Sequence, residues 1–227
     1  MITIEEHNGI KVLRDDLLLG GTKSILMPSL IEPNKEYVYA SPVYGGFQIA
    51  LSAYCGSLAT IFCAKRKDTH PNTKQCLKYG AKVIEVPFGY LSVVEKHAKD
   101  YCLTTGATKL KFGANEPENK ILIGNRMREV IKQLGKEPDE IWCAIGSGTL
   151  VESILQATQT AQIKGVQVGA EYKGTHERLQ ILKYHKGFDK ESKFEAKFQS
   201  MPNYDLKAFE YCNKFKTGAD VLFWNVF

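Results

Sequence analysis

The chain lacks the marks of several function classes. Its 227 residues contain no apolar run near the ~20 residues that a membrane-spanning helix needs. The first eleven residues carry two glutamates and no apolar core, so they do not read as a secretory leader. A cytoplasmic protein is expected, in the host cytoplasm if the source is viral, with no membrane partner. The six cysteines form no CxxC pair, and none stands near a histidine at zinc-ligand spacing. Buried, reduced thiols and no metal site are the expectation. A large excess of one charge is also missing. Thirty Lys and Arg against 25 Asp and Glu leave +5, a weak bias toward anionic partners such as phosphates or nucleic acid. No repeat or low-complexity stretch interrupts the chain.

What is present is an ordinary globular composition, 44% hydrophobic and 24% charged, enough to bury a core in one large domain or two small lobes. Short apolar runs between turn residues predict strands at 37–40, 60–64, 82–87, 140–145, 166–170 and 221–224. Helical periodicity predicts helices at 47–55, 73–79, 91–100, 121–134, 150–162 and 205–215. Strands alternating with helices imply βαβ units and a parallel sheet, hence an α/β fold. The lysine-rich stretch 185–199 reads as a surface loop or weak helix.

The sharpest local feature is residues 141–154, where a buried strand ends in Gly146-Ser147-Gly148-Thr149 and a helix starts at once. Glycines permit the tight turn and close approach of a ligand. The first-turn N–H groups and the helix dipole then favour an anion, and Ser147 and Thr149 add hydroxyls, as a phosphate monoester requires. A glycine pair can also serve the turn alone. The segment is neither a Walker loop, since no Lys-Ser/Thr follows at the right offset, nor a dinucleotide fingerprint, since the third glycine is missing.

A second feature is Lys23, which follows Gly20-Gly21 and opens an apolar segment. A lysine desolvated there would have a lowered pKa and become a nucleophile toward carbonyls. A surface lysine beside a turn is the plainer reading of the same residues.

Taken in order, several segments resemble one family. Arg14-Asp15-Asp16 with Gly20-Gly21-Thr22-Lys23 is similar to the lysine motif of the 1-aminocyclopropane-1-carboxylate deaminase and D-cysteine desulfhydrase family. That family belongs to the tryptophan-synthase-β-like, fold type II enzymes that use pyridoxal 5'-phosphate (PLP). Residues 40–50 occupy the place of the family's substrate-carboxylate loop, Gly80-Ala81-Lys82-Val83 matches its step into the next strand, and 204–224 resembles its closing helix and strand. On the substrate side the chain departs from the pattern. Tyr44 stands about where an asparagine is expected, and the chain ends Trp224-Asn225-Val226-Phe227 in place of His-Thr-Gly-Gly. The chain is thus expected to be a shortened, divergent form.

The resemblance implies two open α/β/α sub-lobes with mainly parallel sheets, a smaller lobe at 36–110 and a larger one at 1–35 and 111–227, with PLP in the cleft. It implies a Schiff base on Lys23 and a phosphate held by Gly146, Ser147, Gly148 and Thr149. Ser41, Tyr44, Gly45 and Gly46 would hold the substrate, with Tyr44 also catalytic. Glu171, after the 166–170 strand, and Asn225 are the two candidates for the pyridine nitrogen. A PLP-dependent lyase or deaminase acting on a small amino-acid-like substrate follows, as a homodimer. The alternatives are a PLP-dependent decarboxylase or lyase acting on an amino acid attached to a modified base in DNA, with the 183–197 stretch meeting the polyanion, and a phosphate- or nucleotide-binding α/β domain without PLP.

Overall fold

The computed structural model describes residues 2–169 and 171–227. In chain order its elements are β1 (Ile4–His7), β2 (Ile10–Arg14), α1 (Met27–Leu30), β3 (Tyr37–Ala40), α2 (Phe47–Cys55), β4 (Ala59–Ala64), α3 (Pro71–Lys78), β5 (Lys82–Val86) and α4 (Leu91–Thr105). They continue as β6 (Thr108–Lys109), α5 (Pro117–Leu134), β7 (Glu140–Ile145), α6 (Thr149–Ala157), β8 (Gln162–Gln167), β9 (Leu179–Lys183), α7 (Asp205–Phe215) and β10 (Val221–Asn225). Among the described residues no helix is long and apolar enough to cross a membrane.

The chain divides into two units. The larger runs through Leu18 and from Asn115 to Phe227, and the smaller is Leu19–Ala114. The division therefore falls before the Lys23 segment, not after it as expected. The reason is local packing. Gly20 has φ +89°, and a Cβ there would strike the backbone of Ala50 on α2, so the Gly20-Gly21 turn lies against the smaller unit's own helix.

The larger unit holds a six-stranded sheet in the order β1-β2-β10-β7-β8-β9, parallel except for the β1–β2 hairpin. Every residue of β7 and β10 is buried, as expected of central parallel strands covered on both faces. Ile10, Val12, Trp142, Phe209 and Phe223 form the middle of one core. Beneath the end of β2, Asp15 is fully buried between the Arg126 guanidinium (2.6 Å) and the Trp224 indole N–H (3.0 Å), which gives the Arg-Asp-Asp motif a structural role.

Several expected boundaries move. β8 starts at Gln162, in register with Glu140, and ends at Gln167. The expected 166–170 strand thus overruns it, and its last residue, Ala170, lies outside the described residues. α6 stops at Ala157, because the N–H groups of Gln159, Thr160 and Ala161 turn to the Glu137 carboxylate. α5 starts at Pro117, a first-turn proline, four residues before its apolar periodicity begins. α4 runs on to Thr105, where Gly106 in the left-handed region ends it. The 185–199 stretch holds no helix, and it is anchored rather than merely superficial: Phe188, Phe194 and Phe198 pack on the core.

The smaller unit is a four-stranded parallel sheet in the order β5-β4-β3-β6. Val38, Ala40, Phe62 and Val86 pack against Val94 and Ala98 of α4. All four strands run the same way, so the loops that follow them share one edge.

Candidate functional site

In the larger unit, β7 delivers Gly146 to the start of α6. Gly148 is the N-cap with φ +90°, and the helix opens with no side-chain cap. With glycine as the N-cap, that position brings no side-chain acceptor of its own to the first-turn N–H groups. The Ser147 and Thr149 hydroxyls lie 2.9 Å apart, and Thr149 donates to Asn115 Oδ1 at 3.2 Å. A Cβ on Gly148 would strike the ring of Tyr172, which lies over the turn. The Tyr172 hydroxyl donates to Glu152 (3.0 Å), which pairs with Lys120. Burial, then the bond to Glu152, pushes the Tyr172 phenol up to about 12, so it stays neutral and a donor. Behind the turn, a Cβ on Gly146 would sit 2.9 Å from the hydroxyl of the partly buried Tyr204. Sequence reasoning missed Asn115, Tyr172 and Tyr204. The signal for Tyr172 was glycine at Gly148 and Gly174, since a Cβ at either position would meet its ring.

In the smaller unit, Lys23 sits in a 3-10 turn, Thr22–Leu26. Its Nζ donates to the Gly113 carbonyl at 2.6 Å and lies 5.4 Å from the centre of the Phe47 ring. The loop 41–46 joins β3 to α2 and is organised by a residue that sequence reasoning passed over, the buried Gln48. Its amide donates to the carbonyls of Pro42 (3.3 Å), Val43 (2.9 Å) and Gly45 (2.8 Å). Gly45 N–H and the Ser41 hydroxyl also bond the Pro42 carbonyl, at 2.8 and 2.9 Å. In a trans peptide C=O and N–H point opposite ways. Carbonyls 42, 43 and 45 turned toward Gln48 therefore direct the N–H groups of Val43, Tyr44 and Gly46 away from it. α2 likewise starts without a side-chain cap. Tyr44 is flanked by Arg66, 5.0 Å over its ring, and by His70, edge-on at 4.9 Å.

The two candidates for the pyridine nitrogen have contrasting surroundings. Glu171 is exposed and lies four residues beyond the end of β8, not at the strand edge expected for it. Asn225 closes β10, fully buried, with its amide donating to Gln199 O (2.8 Å) and accepting from Ser200 Oγ (2.7 Å), so both its ends are engaged. The larger unit also holds a buried carboxylate that sequence reasoning did not single out. Asp205 is fully buried, its Oδ2 accepts from Phe227 N–H (3.1 Å), and its Oδ1 finds no hydrogen-bond partner among the described residues. Burial holds its pKa well above the usual carboxylate range. In the 183–197 stretch the lysines alternate with Asp189, Glu191 and Glu195, so that segment presents mixed charge rather than a basic face.

No family model matches the chain, and no curated protein matches it in sequence. Solved structures match its fold. An ACC deaminase homologue superposes with a TM-score of 0.78 at 16% identity, covering 96% of this chain and 85% of that one. A hydrogen sulfide-producing enzyme from Fusobacterium nucleatum gives 0.70 at 12%, covering 100% and 92%. A pyridoxal 5'-phosphate-dependent aspartate racemase gives 0.56 at 16%, covering 74% and 56%. At these identities the likeness is one of architecture, and the architecture of this chain is that of the fold type II PLP enzymes.

Proposed function

We propose that the chain is a PLP-dependent enzyme of the lyase or deaminase class, acting at the α-carbon of a small amino-acid-like amine. The observation that carries this reading is the uncapped N-terminus of α6 behind Gly148, in a chain with the fold type II architecture. The residues fit the group. The turn offers the N–H groups of a helix's first turn, two hydroxyls and no side chain at residue 148 itself, which is what a phosphate dianion needs. The Lys23 amine is only partly exposed, donates to the neutral Gly113 carbonyl and lies over the Phe47 ring.

When bound, PLP supplies an electron sink for the bond broken at the α-carbon. The rest of the chemistry falls to the chain. The first turn of α6 would hold the phosphate, with the Ser147 hydroxyl free to rotate as a further donor. Asn115 fixes the Thr149 side chain. Lys23 Nζ is the amine that would hold the cofactor, and the group that would take or return the proton at the substrate α-carbon. The outward N–H groups of loop 41–46, together with Ser41, hold the substrate carboxylate, and Tyr44 stands beside them as a proton donor. Gln48 keeps that loop rigid, which preserves the orientation that selects the bond to be cut.

The test is an absorbance titration of the purified protein with PLP beside a Lys23→Ala variant. A band at about 410–420 nm in the wild type alone supports the reading. If neither protein develops the band, the cofactor assignment fails. The 146–149 turn then belongs to another phosphate ligand, for which a rise in melting temperature with nucleotides is the check.

A further inference from the structure

The loops at the C-terminal edge of the smaller unit's sheet are 41–46, 65–70, 87–90 and 110–114. Their charge is one-sided. Lys65, Arg66, Lys67 and Lys111 are exposed there against one carboxylate, Asp68. Their apolar content is equally unusual. Phe88 and Tyr90 are 78% and 86% exposed, the two most exposed large hydrophobic side chains among the described residues. Lys65 N–H donates to the Val86 carbonyl at 2.8 Å, which ties the basic loop to the start of the aromatic one. Lys65, Arg66, Lys67 and Phe88 then line one open groove of about 450 Å³.

Adjacent cations repel one another, and exposed rings forgo the burial that ordinarily stabilises them. A ligand that relieves both has closely spaced anionic charges and flat apolar faces. A sulfated or phosphorylated polymer without bases offers only the charges. A duplex offers charges but hides its base faces. We infer that this loop edge binds single-stranded nucleic acid, with Lys65, Arg66 and Lys67 on phosphates and Phe88 and Tyr90 stacking on bases. The inference does not depend on the cofactor reading, since none of these residues is assigned to PLP or to the substrate.

The experiment is fluorescence anisotropy of a labelled oligothymidylate with the purified full chain, without PLP, across a salt series. Saturable binding is expected at low salt, with a log–log salt slope of about −2 for three phosphate contacts. Combined Lys65→Ala, Arg66→Ala and Lys67→Ala should bring that slope close to zero. Phe88→Ala with Tyr90→Ala should weaken binding about tenfold or more while leaving the slope unchanged. All five side chains are exposed and only Arg66 among them lies on a ring of the site, Tyr44, so Lys65→Ala with Lys67→Ala is measured beside the triple variant, and all of these variants should melt as the wild type does. If the aromatic pair does not fold, Tyr90→Ala alone carries that arm. Absence of binding at low salt overturns the inference. So does binding that is indifferent to the aromatic pair, or displaced equally well by heparin or duplex, since the edge would then be a general polyanion surface. The PLP band of each variant is read in parallel. Loss of oligonucleotide binding with the band intact separates failure here from failure of the proposed function.

Discussion

Two turns in this chain solve the same problem by different means. Both lead a parallel strand into a helix that starts without a side-chain cap, and both are proposed to hold an anion. The turn at 146–149 is built from its own residues: a left-handed glycine, two hydroxyls and a short path. The loop at 41–46 is built from outside, by the amide of Gln48 gathering three carbonyls so that the intervening N–H groups face the other way. The first design is written in four consecutive letters. The second depends on a glutamine inside a helix, whose sequence context is that of any buried polar residue.

That difference yields predictions. The largest effect is expected from Gly148→Ala, because it combines a left-handed φ with the Tyr172 ring in the path of the new methyl. It should destabilise the protein by about 2–4 kcal/mol in denaturant unfolding and abolish the PLP band at ordinary cofactor concentrations. If the variant binds PLP normally, the self-built turn is not the phosphate site. Gln48→Ala comes next. It removes the amide's bonds to three carbonyls, of which Pro42 keeps those from Gly45 and Ser41, at about 1–3 kcal/mol. The PLP band should survive, while KM for an amino-acid substrate rises more than kcat falls. A variant that loses the band would reverse the roles given to the two turns.

A third contrast lies behind the turns. The larger unit buries Asp205 with one oxygen that has no hydrogen-bond partner among the described residues, and burial raises its pKa. A carboxyl with a higher pKa folded than unfolded contributes stability that is present below the unfolded value and is lost as pH rises. Asp205→Asn should therefore flatten the pH dependence of the melting temperature and leave the protein about 1 kcal/mol more stable at neutral pH than the wild type. An unchanged pH profile would mean that the carboxyl is partnered in solution. The smallest effect is expected of Ser147→Ala. It removes one of several phosphate donors, so PLP should bind a few-fold more weakly, with pyridoxal lacking the phosphate unaffected.

Where local rules decide structure, the sequence was a good guide. The spans of β3, α2, β7 and α7 coincide with the periodicity read at 37–40, 47–55, 140–145 and 205–215, since burial on a regular face sets them. Where structure comes from pairing, the reading fell short. β9 is a half-exposed edge strand whose residues show little apolar alternation, and it exists through its register with β8. β1 and β2 close around Asn8-Gly9, a tight-turn signal in a segment weighed only as a possible leader. The site divides the same way. The phosphate turn and Lys23 stand out as motifs, whereas Gln48, Asn115 and Tyr172 act through contacts with residues distant in sequence or on another element. The candidates Glu171 and Asn225 were named from a strand end, and the strand ended elsewhere for one, while neighbours already occupy the amide of the other.

The most direct measurement is borohydride reduction of the PLP-treated protein followed by peptide mass mapping. The account predicts a single pyridoxyl adduct on the peptide that contains Lys23. An adduct on another lysine, or none, would contradict it.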